Sequence, residues 1–168
     1  MAKEETKVDA PPYVAFKTLT NFLDKLGQIG TPPRIDRSVW GDSLSGAYGA
    51  QLMAALRFLE LIDENGYASG DLRTVAENAE SRKTYLRERL LKLYEPGLYD
   101  GGLDLGEVTP AQLEEAFRET YKLSGATLTK AISFLVHAAK AADLPISPYV
   151  ERKTRQRSAP AKSRRKTK

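Results

Sequence analysis

The apolar residues of this chain recur at steps of three and four, in stretches separated by firm breaks. That spacing restricts the fold to helices that each bury one stripe. Phe16, Leu19, Leu23 and Leu26 form the first stripe, with Phe22 beside it. Pro11-Pro12 opens this helix, since proline suits the first helical turn, and Gly27 reads as the residue just past its end. The linker Gly30-Thr31-Pro32-Pro33 interrupts the chain, and a short helix is expected around Ile35 to Trp40. Ser45 then stands where a helix cap is needed. The helix after it carries Tyr48, Leu52, Ala55, Leu56 and Leu59 on one side. Asn65-Gly66, between apolar residues, is a hairpin signal. A helix, a short helix, a capped longer helix and a hairpin together follow the order of a winged helix-turn-helix.

The second half repeats the theme. Ser81 is placed to cap a helix with Leu86, Leu90 and Leu93 inward and Leu91 and Tyr94 alongside. A Gly- and Asp-rich loop spans Pro96 to Gly106. Thr109-Pro110-Ala111-Gln112 then has the form of a capping box, opening a helix that buries Leu113, Ala116 and Phe117. Ser124 is expected to cap a long helix through about Ala142, burying Leu128, Ala131, Ile132, Leu135, Ala138, Ala139 and Ala142, with Pro145 and Pro148 ending it. Leu44-Ser45-Gly46-Ala47 recurs as Leu123-Ser124-Gly125-Ala126, and Ala55 to Leu59 echoes Ala131 to Leu135, which suggests an internal duplication. The expected fold is mainly α. It comprises a mobile arm (1–10), a winged helix-turn-helix-like module (11–78), a second helical module packed on it (79–148) and a disordered basic tail (149–168).

Charge sets the tail apart. From Glu151 onward nine lysines and arginines face a single acid, a net of +8. The chain total of +4 therefore leaves −4 for residues 1–150. The absence of cysteine rules out a disulfide framework and thiolate metal sites, and suits a reducing compartment. Met1 to Ala10 alternates Lys with Glu and Asp and has no apolar core of a signal peptide, and no apolar run approaches a membrane span. A cytoplasmic protein, nucleoid-associated if it binds DNA, is the expectation.

Pro11 to Thr18, Pro33 to Ser38 and Leu56 to Asp63 together resemble a family of small bacterial proteins known only as a domain of unknown function. The resemblance covers about Pro11 to Pro148. It implies a bacterial origin and a single evolutionary unit, and brings no activity or site residues with it.

Signs of catalysis are few. His137 is the only histidine, so no histidine pair exists for metal binding or proton transfer, and no Gly-x-Ser-x-Gly elbow or phosphate-binding glycine loop is present. Tyr99 to Glu107 alternates acids with glycine but lacks the carboxylate spacing of a calcium loop. No catalytic residue, metal, cofactor or small-molecule substrate is expected. Within the helix after Ser45, the candidates for reading base edges are Ser45, Tyr48 and Gln51, with Arg57 further along, while Arg34 and Arg37 could rest on the backbone. Thr127, Lys130, Ser133 and Lys140 read as the solvated face of the long helix, and Trp40 as an anchor for the short one. In the tail, Arg152, Lys153, Arg155, Arg157, Lys162, Arg164, Arg165, Lys166 and Lys168 suit nonspecific contact with phosphates. The expected function is non-catalytic nucleic-acid association, most naturally with DNA. The alternative is a protein-interaction or assembly module, with a protein partner or a second copy as its target.

Overall fold

The computed structural model describes residues 10–95, 98 and 102–158. Among them are seven α-helices: α1 (Phe16–Ile29), α2 (Gly46–Phe58), α3 (Gly70–Glu77), α4 (Ala79–Tyr94), α5 (Pro110–Tyr121), α6 (Gly125–Ala141) and α7 (Pro148–Ser158). Two 3₁₀ turns, Arg37–Val39 and Gly41–Ser43, connect α1 to α2. No described helix is long and apolar enough to cross a membrane.

The fold is organised around α6. It packs against α1, α4, α5 and α7, and the eight residues it buries, among them Phe134, Leu135 and Val136, form one broad face. So broad an apolar face lets one helix pack on several neighbours at once, while Lys130 and Lys140 stay in solvent. Phe16 of α1 meets Phe134 edge to face at 5.7 Å. A single apolar core runs from Val14 to Val150. The repeat seen in the sequence does not lead to equivalent surroundings, because α2 packs chiefly on α1 while its counterpart α6 packs on four helices.

Several helix boundaries differ from the expected ones. Pro11 and Pro12 do not open α1. They are buried in an extended segment, and the helix starts at Phe16. Gly27 lies inside α1 rather than past its end, which is Gly30 at φ 98°. Gly27 serves close packing instead. A Cβ there would stand 2.6 Å from the carbonyl oxygen of Ala76 in α3. Gly27→Ala should therefore destabilise the protein by about 1–2 kcal/mol in a denaturant melt, the steric cost outweighing alanine's better helix propensity.

Helix α3 is too short for its periodicity to stand out, and it displaces the expected cap of the next helix. Asn78 caps α4, accepting from Ser81 N–H at 3.0 Å, so Ser81 lies within the first turn. In α4 Leu86 and Leu90 are buried as expected and Leu93 is half-buried; of the two residues expected alongside them, Tyr94 is fully buried and Leu91 is exposed. The capping box of α5 forms as expected, with both Thr109–Gln112 hydrogen bonds present. Ser124 occupies the cap position of α6, but its side chain makes no capping bond.

Tyr85 of α4 donates its buried hydroxyl to the Leu59 carbonyl at 2.7 Å. Burial, helped by the charge of Asp71, pushes this phenol well above its ordinary range. Below about pH 10 the phenol is protonated in both folded and unfolded chains, so its share of stability is whole there. As pH rises beyond that point only the unfolded chain ionises, and stability falls. Melts at rising pH should show this alkaline decline, and Tyr85→Phe should lessen it.

The Asn65-Gly66 segment turns the chain without building strands. Asp63 N–H donates to Tyr67 O at 3.0 Å and Gly66 N–H to Asp63 O at 3.1 Å. The Asp63 carboxylate also accepts from the N–H groups of Asn65 and Tyr67. Only two isolated antiparallel bridges result, Ile62 with Ala68 and Arg34 with Tyr67. The expected hairpin is cut short because α3 begins at Gly70, so too few residues follow the turn to extend a ladder.

The expected disordered tail is also corrected over its first ten residues. Pro148 starts a helix rather than ending one, a position that costs proline no hydrogen bond. Buried Ser147 precedes it. Its N–H donates to Leu105 O at 2.8 Å, and its carbonyl accepts from Glu151 N–H at 3.0 Å. Val150 is buried, and Lys153 reaches Glu114 of α5 at 2.9 Å. Residues 1–9 of the expected arm and 159–168 of the expected tail lie outside the described residues.

Candidate nucleic-acid interface

The residues expected to contact nucleic acid fall into three groups. The first surrounds the turn. Arg34 lies in extended chain beside Tyr67, with its guanidinium 5.4 Å from the ring centre and its Nε donating to Asn65 O at 3.1 Å. The stacked arginine is held in place while both residues remain exposed. Arg37, exposed, opens the first 3₁₀ turn. Asp36 lies between them in sequence. Hydrogen bonds from the Ser38 hydroxyl and N–H, aided by the Arg34 charge, hold its carboxyl below the usual range, so this acid offsets the arginines at any physiological pH.

The second group is the start of α2. Ser45 Oγ accepts from Tyr48 N–H at 3.3 Å, so its oxygen serves as a helix cap. Tyr48 is 53 % exposed and Gln51 is half-buried. The solvent face between them is Gly46, Ala47, Ala50 and Ala54. Methyl groups can meet a thymine methyl but cannot read the donors and acceptors of a base edge. Arg57 sits apart, about 18 Å along the helix axis from Ser45. It lines a groove with Glu60, Asp63, Glu64 and Tyr67, where acids surround it.

The third group is α7. Lys140 of α6 and Arg155 each pair with Glu151 at 2.7 Å, and these contacts, Lys140 first, hold the Glu151 carboxyl below its ordinary range. Lys153 is tied to Glu114. Arg152 is exposed and has no ion pair among the described residues. Arg157 lies in the last turn of α7, and Lys162, Arg164, Arg165, Lys166 and Lys168 follow outside the described residues.

Tyr149 was not among the expected site residues. It stands 68 % exposed in the first turn of α7. The signal was an aromatic residue directly before a basic run. It was missed because the chain was expected to lose its order there.

The other singled-out residues have local roles. His137 Nδ1 lies 2.7 Å from Ser133 O and 3.2 Å from Ser133 Oγ, one turn back in α6. Trp40 packs edge to face on Phe22 at 6.0 Å and lies against Gly49 of α2. Asp104 accepts from Gly106 N–H at 2.9 Å within its own turn. Residues 99–101 of that loop lie outside the described residues, and no cluster of three or more potential metal ligands occurs among the rest. No family model, curated protein or solved structure matches the chain.

Proposed function

We propose that this chain is a non-catalytic nucleic-acid-associated protein that binds phosphates through its C-terminal basic segment and without strong sequence preference. One observation carries the reading: the positive charge is concentrated on α7 and the ten residues beyond it, and α7 is anchored to the body. The basic segment therefore has a rigid root in Val150, Lys153–Glu114 and Glu151–Lys140. The bare face of α2 supports nonspecific contact rather than base reading. The path α1, extended chain at Arg34, 3₁₀ turns, α2 and the turn at Asn65-Gly66 supports a winged helix-turn-helix-like character for the first half. Arg34, fixed on Tyr67, is the residue of that half best placed to touch a phosphate.

The test is fluorescence anisotropy with labelled duplex DNA across a salt series, comparing the full chain with one ending at Ser158. The shortened chain loses five cations and should bind at least tenfold more weakly near physiological salt. Its log–log salt slope should flatten by up to about 4.5. Unchanged affinity and slope would remove the segment from the interface. Tyr48→Ala and Gln51→Ala should each change duplex affinity less than about twofold.

A second reading is favoured by the alanine face of α2 within a body of net −4: a docking module for another protein, with nucleic acid bound only by the tail or not at all. Duplex binding at low salt by a chain ending at Pro148, which lacks the whole basic segment, separates the two, since any affinity left must come from the folded body.

A further inference from the structure

We propose that the exposed face of α7 is a stacking platform for single-stranded nucleic acid, with Tyr149 receiving a base and Arg152 and Arg155 the flanking phosphates. The proposal rests on the nucleic-acid reading above and names the form of nucleic acid the segment prefers. The side of α7 that packs on the body holds Val150 and the Lys153–Glu114 pair. Tyr149 flanks that side and is exposed, with exposed Arg152 three residues on, and residues at that spacing are neighbours on a helix surface. Arg155 follows, its side chain 72 % exposed although it also pairs with Glu151.

An aromatic ring left in solvent has the geometry of a stacking surface, and the arginines beside it supply charge and a second planar group. Helix anchoring matters because the ring and its cations keep their relative positions before any ligand arrives. A duplex buries the faces of its bases in its own stack, whereas a single strand can turn one onto Tyr149. Both forms offer phosphates, so the arginines alone would not distinguish them. The ring would.

The experiment uses the full chain and labelled single-stranded oligothymidine, with a mixed-sequence duplex of equal length, by anisotropy across salt. The wild type should bind the single strand more tightly than the duplex. Tyr149→Ala should weaken single-strand binding about 5- to 100-fold, as loss of one stacked base predicts. It should leave the salt slope and duplex affinity unchanged. Tyr149→Phe should retain affinity, because it keeps the aromatic face. Arg152→Gln should weaken both ligands and lower the single-strand slope by about 0.7. Because Tyr149 and Arg152 are exposed, the variants should melt like wild type. Equal binding of both forms with no effect of Tyr149→Ala would overturn the platform and leave the phosphate-binding reading standing. Absence of binding to either form at low salt would sink that reading itself.

Discussion

Phe134→Ala should lower the free energy of unfolding by about 3–5 kcal/mol, the range for truncating a fully buried phenylalanine. Phe134 has no solvent exposure, sits at the middle of the helix that touches four others, and meets Phe16 edge to face. The void left behind is bordered by backbone on α6 and by side chains that already fill their own sites, so little collapse can offset it. Leu91→Ala, on a residue 45 % exposed, should cost below about 1 kcal/mol and serves as the control. Unfolding is best followed by far-ultraviolet circular dichroism and by fluorescence of Trp40, which lies in the first half of the chain beside Phe22. With one continuous core the two signals should move together, and Phe134→Ala should shift both. A Trp40 transition untouched by the substitution would mean that the halves unfold separately.

Val150→Asp should release α7. Val150 is 2 % exposed and is the buried apolar side chain of that helix among the described residues. An aspartate there would be buried without a partner, and the cost of several kcal/mol exceeds what a peripheral helix of eleven residues gains by docking. The helix would undock rather than hold the charge inside. Hydrogen exchange should lose protection over residues 150–158 while α1 and α6 keep theirs. Circular dichroism should lose about one helix of signal. If α7 is also the root of the phosphate-binding segment, single-strand affinity should fall although no cation has been removed. Retained protection in α7 would show that Val150 is not its anchor.

The stripes of α1 and α6 were legible because each helix buries a broad face, and a broad face repeats at three and four residues whatever it packs against. Leu128, Ala131, Ile132, Leu135, Ala138, Ala139 and Ala142 were expected inside, and all are buried. The capping box at Thr109 was legible for a similar reason, since both its partners lie within four residues. Gly27 was not. A glycine near a helix end looks like a stop signal until a second helix, fifty residues away, is seen to press against it. Tyr94 and Leu91, both expected beside the stripe, parted company because the edge of a buried face is set by where the neighbouring helix lies.

The candidate site was read less well, for the same cause. Charge density along the C-terminal segment was plain from composition, but its division was not. Lys153 and Arg155 spend part of their charge on Glu114 and Glu151, while Arg152 is left to solvent. Tyr149 became a candidate only when Pro148 proved to begin a helix. On α2 the expected readers Ser45, Tyr48 and Gln51 share their face with exposed Ala47, Ala50 and Ala54.

Residue spacing, caps and the one-sided distribution of charge settled that the chain is mainly helical, where most helices lie, and that its last stretch is basic. These are local properties, set by hydrogen bonds and side chains within a turn or two. Tertiary packing alone decided that the two halves share one core around α6, that Gly27 serves a helix contact, and that α7 is folded with Tyr149 and Arg152 outward. Those outcomes depend on which surfaces meet across long stretches of chain, and no short window of residues contains both partners.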